Sequence, residues 1–139
     1  MGLDVGDRRV GVAVSDERGL TAQPVLTLVR SNRKQDLSSL ARILRKYNCL
    51  EIVVGNPLYM SGDLSPQAMK AQAFAETLRK EFGLPVILWD ERLTTTEAHR
   101  LLEDAGRAEH KSVVDQVAAV LILQGLLDFR ANNRERDQR

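Results

Sequence analysis

Near the start of the chain, bulky and small side chains alternate with a period of two along two short apolar segments. The segments are residues 1–6, MGLDVG, and residues 9–16, RVGVAVSD. Successive side chains of an extended strand point to opposite faces, so the pattern predicts one face of Leu and Val and another of Gly, Ala and Ser. The intervening Gly6-Asp7-Arg8 is typical of a hairpin turn. We therefore expect two antiparallel strands whose bulky face packs on a core.

Asp4 lies on the small face of this hairpin, with glycines as its neighbours. Aspartate is depleted in strands, and burial of an isolated carboxylate is costly. We expect this face to be a shallow, open floor that carries one acid. Because a structural Asp4 would need a dedicated partner, a role in holding a metal ion is the stronger interpretation.

The rest of the chain alternates between strand and helix signals. Strands are predicted at residues 22–29 (AQPVLTLV), 50–55 (LEIVVG) and 85–89 (PVILW). The helix signals, in chain order, predict a helix capped by Asp36, a second begun by Ser65-Pro66, a third with a Thr94–Glu97 capping box and a closing Gly106, and a last helix over 112–129. The final residues, NNRERDQR, have the composition of a polar tail.

This order predicts an α/β fold. A three-strand antiparallel meander is followed by two strands in helical crossovers, which require parallel pairing. The natural architecture is a mixed five-stranded sheet with helices on both faces. With 139 residues, we expect one domain over 1–139, with the polar tail from about residue 131.

Composition narrows the classes of function. The hydrophobic content of 43% with 28% charged residues is typical of a globular protein. A single cysteine, Cys49, excludes an internal disulfide framework, and no apolar run is long enough to span a membrane. We expect a cytoplasmic protein that does not associate with membranes. Because its net charge is only +1, we expect a nucleic-acid partner to be bound through local basic patches.

Acids from distant parts of the chain are predicted to converge at one edge of this sheet. Asp4 lies on the first strand, Asp90 and Glu91 end the last strand, and Asp115 lies in the first turn of the final helix. The small residues at 118 and 119 would let that helix approach the sheet closely. Clustered carboxylates repel one another, and Mg²⁺ or Mn²⁺ would relieve that repulsion.

Each acid also has a simpler interpretation. Asp115 could be an acid at a helix N-terminus, favoured by the macrodipole, and Asp90-Glu91-Arg92 could be a salt-bridged surface turn. One cysteine and two histidines offer no zinc spacing. The 4% aromatic content does not favour recognition of unstacked bases, so backbone and shape recognition of a structured nucleic acid fits better.

Four motifs in order resemble the YqgF-type, or RuvX, family, whose members are described both as Holliday-junction resolvases and as pre-16S ribosomal RNA nucleases. The motifs are GLDVGDRRVGVAVSD, VVGNP with Gly62, DERLTT with Ala98, and VDQVAAVLILQGLLD. The resemblance spans nearly the whole chain and implies a ribonuclease-H-like fold. It also implies metal-dependent phosphodiester cleavage, with Asp4, Glu91 and Asp115 as the catalytic and metal-binding acids.

Four residues beside these acids are expected to contact substrate: Arg8, Asn56, Arg92 and Lys111. Two features depart from the family pattern. Asp7 stands where the family usually carries a small hydroxyl residue, and the RAEHK segment before the last helix is less basic than expected. Asp7 adds a negative charge near Asp4, and the less basic segment puts substrate affinity in question more than the chemistry.

The function that the resemblance favours is 5′-end maturation of pre-16S ribosomal RNA, with Holliday-junction resolution as the alternative. A resolvase should be a dimer, whereas an RNA-processing enzyme can be a monomer or a homodimer. Asp4-Val5-Gly6 with Gly11 also resembles the phosphate hairpin of actin-like and sugar-kinase-like phosphotransferases, but this chain is too short for their second half. A binding module on a decayed nuclease is disfavoured because all three acids are present.

Overall fold

The computed structural model describes residues 1–94, 100, 103–104 and 111–137, with backbone alone for 111 and 112. The elements in chain order are β1 (Gly2–Val5), β2 (Arg9–Ser15), β3 (Ala22–Val29), α1 (Arg33–Lys46), β4 (Ile52–Asn56), α2 (Pro66–Phe82), β5 (Val86–Asp90), a short 3-10 helix (Glu91–Leu93) and α3 (Lys111–Asp137). The helix predicted from the Thr94–Glu97 capping box to Gly106 lies outside the described residues, apart from Thr94 and three isolated positions.

The five strands form one mixed sheet, in the order β3-β2-β1-β4-β5. β1 pairs antiparallel with β2 and β2 with β3, whereas β1 pairs parallel with β4 and β4 with β5. The predicted architecture is confirmed. Because β1, β3, β4 and β5 all run the same way, their carboxyl ends meet at one edge of the sheet, and the β1–β2 turn lies there as well.

The bulky face of the hairpin packs against α1 and α2, as the alternation predicts. Leu3, Val10 and Val12 are fully buried there, together with Leu40 of α1 and Leu78 of α2. Burying a side chain of this size stabilises the fold by about 1.5–3 kcal/mol. Among the described residues, this cluster is the larger of the two hydrophobic clusters that form the core.

The small face of the hairpin is covered by α3, so the prediction of an open floor was wrong. A methyl group added to Gly11 would lie 1.9 Å from the backbone oxygen of Asp115, and one added to Gly2 would lie 2.7 Å from Cβ of Leu123. The glycines make room for a helix backbone rather than for solvent. The close approach predicted from the small residues of α3 is present, and Ala119 is fully buried.

Two local predictions also differ from the structure. Asn32, not Asp36, caps α1, since its side chain accepts a hydrogen bond from the amide of Gln35. Asp36 lies in the first turn, where it accepts a hydrogen bond from the amide of Ser31. The polar tail continues α3 as far as Asp137, because it is free of Gly and Pro and contains Arg and Glu, which favour helix.

The start of α2 agrees with its sequence signal. The Ser65 hydroxyl accepts a hydrogen bond from the amide of Ala68, with Pro66 as the first helical residue. Among the described residues, no helix combines the length and apolar character needed to cross a membrane.

Candidate active site

Asp4 lies near the carboxyl end of β1, opposite Gly11 of β2. Its side chain points to the α3 face of the sheet, where it is half-buried. Burial raises the pKa of Asp4 to about 6, and the negative charge of Asp115 adds to the increase. The sheet and α3 thus hold this carboxyl where loss of its proton is disfavoured.

Glu91 is brought beside Asp4 by the end of β5. It is the first residue of the 3-10 helix that follows Asp90, and its carboxyl carbon lies 3.2 Å from the position that a methyl group on Gly55 would take. Burial raises the pKa of Glu91 to about 7, with further contributions from the charges of Asp4 and Asp90. The missing side chain of Gly55 in β4 therefore leaves room for this carboxyl.

Asp115 projects from α3 towards the same edge, but it already has a cationic partner. Nε of Arg9 donates a hydrogen bond to Oδ2 of Asp115 over 2.8 Å. The Arg9 side chain is 35% exposed and that of Asp115 is 21% exposed. This ion pair joins β2 to α3 and directs the Asp115 carboxylate towards the guanidinium.

Asp90 has a different environment from its neighbour Glu91. Its carboxylate accepts two hydrogen bonds from Nε and one from Nη2 of Arg92, and it also caps the Arg92 amide. The Arg92 hydrogen bonds hold the pKa of Asp90 below its usual range. The salt-bridged turn considered as a simpler interpretation is therefore correct for Asp90 but does not include Glu91.

The four expected substrate-contact residues border this edge in different ways. Arg8 is exposed in the β1–β2 turn, and Asn56 ends β4, where its side-chain oxygen lies 3.4 Å from Nε2 of Gln72. Arg92 is held by Asp90 and also donates to the backbone oxygen of Met60 over 3.3 Å. Lys111 begins α3, and its side chain is outside the described residues.

The donor set is suited to a hard divalent cation. Carboxylate oxygens are the ligands such cations prefer. Burial, and to a lesser extent neighbouring negative charges, raise the pKa values of Asp4 and Glu91. Within the described ranges, however, no three His, Cys, Asp or Glu side chains lie close enough together to hold a metal ion. Asp4 and Glu91 form no salt bridge among the described residues, whereas Asp115 is engaged by Arg9.

Arg9 is the site residue that the sequence reasoning missed. The period-two pattern that places Gly11, Ala13 and Ser15 on the small face also places Arg9 there, two residues before Gly11. Extending the alternation to the first residue of β2 would have identified it. Its neighbour Arg8, which was expected to contact substrate, lies exposed in the β1–β2 turn.

Comparison with solved structures supports the fold. The chain resembles Thermus thermophilus RuvC in complex with a Holliday junction substrate, with a TM-score of 0.58 at 17% identity over 94% of each chain. A second Thermus thermophilus RuvC structure matches with a TM-score of 0.55 at 12% identity, over 94% of this chain and 95% of that one. The ribonuclease-H-like fold implied by the sequence motifs agrees with both.

Sequence relatives are much closer. A protein of Thermoanaerobacter pseudethanolicus with the name "Putative pre-16S rRNA nuclease" is 49% identical, over 95% of this chain and 97% of the relative. A protein of the same name from Clostridioides difficile is 50% identical over 96% of both chains. The family model described as RuvX, Holliday junction resolvase, matches residues 1–129. The chain belongs to the RuvX family.

Proposed function

We propose that this protein is a metal-dependent endonuclease that cleaves phosphodiester bonds in structured nucleic acid, and that its substrate is the 5′ extension of pre-16S ribosomal RNA. The name shared by relatives that are about half identical over nearly their full length supports the substrate. Such a reaction would take place in the cytoplasm. The protein would act as a monomer or a homodimer.

One observation carries the proposal. Asp4 and Glu91 lie far apart in the sequence, yet the fold brings them close enough for the charge of Asp4 to raise the pKa of Glu91, beside the larger effect of burial. A fold that places two acids in this position without a cation loses stability at neutral pH. The arrangement is understandable if the acids serve a bound divalent ion.

Asp4, Glu91 and Asp115 are the residues proposed to hold Mg²⁺ or Mn²⁺. When bound, such an ion would activate water and stabilise the leaving oxygen of a phosphodiester. The protein contributes the orientation of these oxygens. β1 fixes Asp4, the 3-10 helix fixes Glu91, and the contact between Gly11 and the backbone of Asp115 fixes the start of α3.

Arg8, Asn56, Arg92 and Lys111 are proposed to contact the substrate. The two arginines and the lysine would neutralise backbone phosphates, which makes binding dependent on salt rather than on base sequence. Asn56 pairs with Asp90 in the β4–β5 register, which places it at the carboxyl edge of the sheet.

Holliday-junction resolution is the second candidate function. It is supported by the matching family model, which is described as a Holliday junction resolvase, and by the fold shared with RuvC. The same carboxylates would serve either reaction, so the substrate must be identified by cleavage.

The test compares two labelled substrates: pre-16S RNA with its 5′ extension, and a four-way DNA junction. Each is incubated with the protein in Mg²⁺, in Mn²⁺ and in chelator. Asp4→Asn and, as a charge-matched control, Asp137→Asn at the exposed end of α3 are assayed alongside. The proposal expects metal-dependent RNA cleavage that Asp4→Asn abolishes and Asp137→Asn retains. Symmetric cuts in the junction alone would transfer the function to recombination, and no cleavage of either substrate would contradict both.

A further inference from the structure

The three acids of the site differ in how their charge is compensated. Asp115 forms a salt bridge with Arg9, whereas Asp4 and Glu91 form none within the described residues. The Asp115 carboxylate is thus directed to a guanidinium. This pairing gives a physical reason why the three acids do not form a metal-binding cluster in this structure.

The Arg9–Asp115 contact is suited to exchange. It consists of one hydrogen bond, from Nε to Oδ2 at 2.8 Å, rather than the two-pronged contact that makes arginine–carboxylate pairs strong. With 35% of its side chain exposed, Arg9 can be rehydrated without unfolding any element. Ion pairs of this exposure contribute about 0.2–1 kcal/mol, which a divalent cation can readily outweigh.

The backbone beneath Asp115 cannot adjust in the same way. Gly11 leaves space only because it lacks a side chain, since its Cβ position falls 1.9 Å from the Asp115 backbone oxygen. α3 is therefore seated on β2 at this residue. The Asp115 carboxylate must therefore change partner by rotation of its own side chain, rather than by movement of α3.

We propose that Arg9 is a positioning residue that competes with the divalent cation for the Asp115 carboxylate, and so sets how tightly the substrate-free protein binds that cation. The inference rests on the proposed metal-dependent function. In the cation-free protein Arg9 holds Asp115, and binding of the cation releases the guanidinium. Arg9 thereby weakens cation binding while substrate is absent.

The experiment measures Mn²⁺ affinity by calorimetry in the substrate-free, full-length protein. Arg9→Gln removes the competitor, and Arg134→Gln removes an equal charge from the exposed end of α3. We expect Arg9→Gln to bind Mn²⁺ about fivefold more tightly than the wild type. A fivefold change in affinity corresponds to about 1 kcal/mol, the upper value for an exposed ion pair. Arg134→Gln should stay within about twofold of the wild type, and Arg9→Lys should fall between the two. Thermal melting of each variant establishes that it is folded.

A double-mutant cycle identifies the route of the effect. If Arg9 acts through Asp115, the gain from Arg9→Gln should disappear in an Asp115→Asn background. Equal affinity of Arg9→Gln and Arg134→Gln would overturn the inference, as would weaker binding by Arg9→Gln or a gain that persists in Asp115→Asn. Absence of Mn²⁺ binding from both the wild type and Arg9→Gln would overturn the inference and the proposed metal dependence together. If the expected affinities are found but no RNA or junction is cleaved, the inference stands and the proposed function fails.

Discussion

The backbone oxygen of Asp115 occupies the position next to Gly11 where a side chain would begin, 1.9 Å from the ideal Cβ. Gly11→Ala should therefore force α3 away from β2. We expect a loss of about 3 kcal/mol in the free energy of unfolding, at the upper end of the cost of overpacking, measured by urea denaturation. Gly83→Ala is the control, because Gly83 has a φ of +63° and open space around it. That change should cost only about 1 kcal/mol, and a similar loss in both variants would contradict the close helix–strand contact.

Asp4→Asn should abolish cleavage while leaving the fold intact. In chelator, it should also raise the free energy of unfolding at pH 7.5 by about 1 kcal/mol, because a carboxylate whose pKa is raised to about 6 is charged at that pH at a cost to the folded state. Denaturant unfolding provides the measurement, with Asp137→Asn as the charge-matched control. Strong destabilisation by Asp4→Asn would instead assign Asp4 a structural role.

The metal-free protein should become less stable as pH rises. The pKa of Asp4 is raised from 3.8 to about 6 and that of Glu91 from 4.5 to about 7, so the folded state binds more protons than the unfolded state between about pH 4 and pH 7. Stability is therefore highest at the acidic end of this window and is lost as pH rises through the folded pKa values. Unfolding in chelator at pH 5, 6, 7 and 8 measures the slope. The double variant Asp4→Asn/Glu91→Gln should flatten it, and an unchanged slope would show that other groups are responsible.

Arg92→Gln should weaken substrate binding more than it weakens the fold. Arg92 is anchored by Asp90 and contacts the backbone of Met60, and exposed pairs of this kind contribute at most about 1 kcal/mol to stability. We expect the RNA concentration for half-maximal cleavage to rise several-fold, with a shallower dependence of binding on salt. Arg134→Gln removes the same charge from the exposed end of α3 and should change neither. Equal effects of the two substitutions would mean that only net charge matters.

The sequence predicts the strands that carry the site better than it predicts the packing and pairing of side chains within the site. Strand alternation locates Asp4 and the glycine face, and the strand order brings the carboxyl ends together. Alternation shows that a face is small, but it cannot show whether the space admits solvent or another backbone. For this reason the close approach of α3 was predicted correctly, whereas the prediction that the small face is open to solvent was wrong. The Arg9–Asp115 pair was missed because its partners are 106 residues apart and neither has an unusual sequence context.

Helix boundaries failed for a more local reason. Asn32 and Asp36 are both good capping residues. Which of them caps α1 depends on where β3 ends. The polar end of α3 carries no breaker, so its composition alone does not distinguish helix from coil. The sequence could not distinguish the roles of the adjacent acids Asp90 and Glu91 either. Their pKa values shift in opposite directions only because of their three-dimensional surroundings.

The central place of β1 has a consequence for how the protein matures after synthesis. Its antiparallel partner β2 is adjacent in the chain, so the hairpin can form early, but its parallel partner β4 lies across a long loop that closes slowly. The edge of the sheet that carries the acids at residues 4, 91 and 115 is therefore assembled only after both the parallel pairing and the packing of α3 on β2 are complete. A half-folded chain carries each acid separately. If these acids perform the proposed cleavage, folding intermediates would lack that activity.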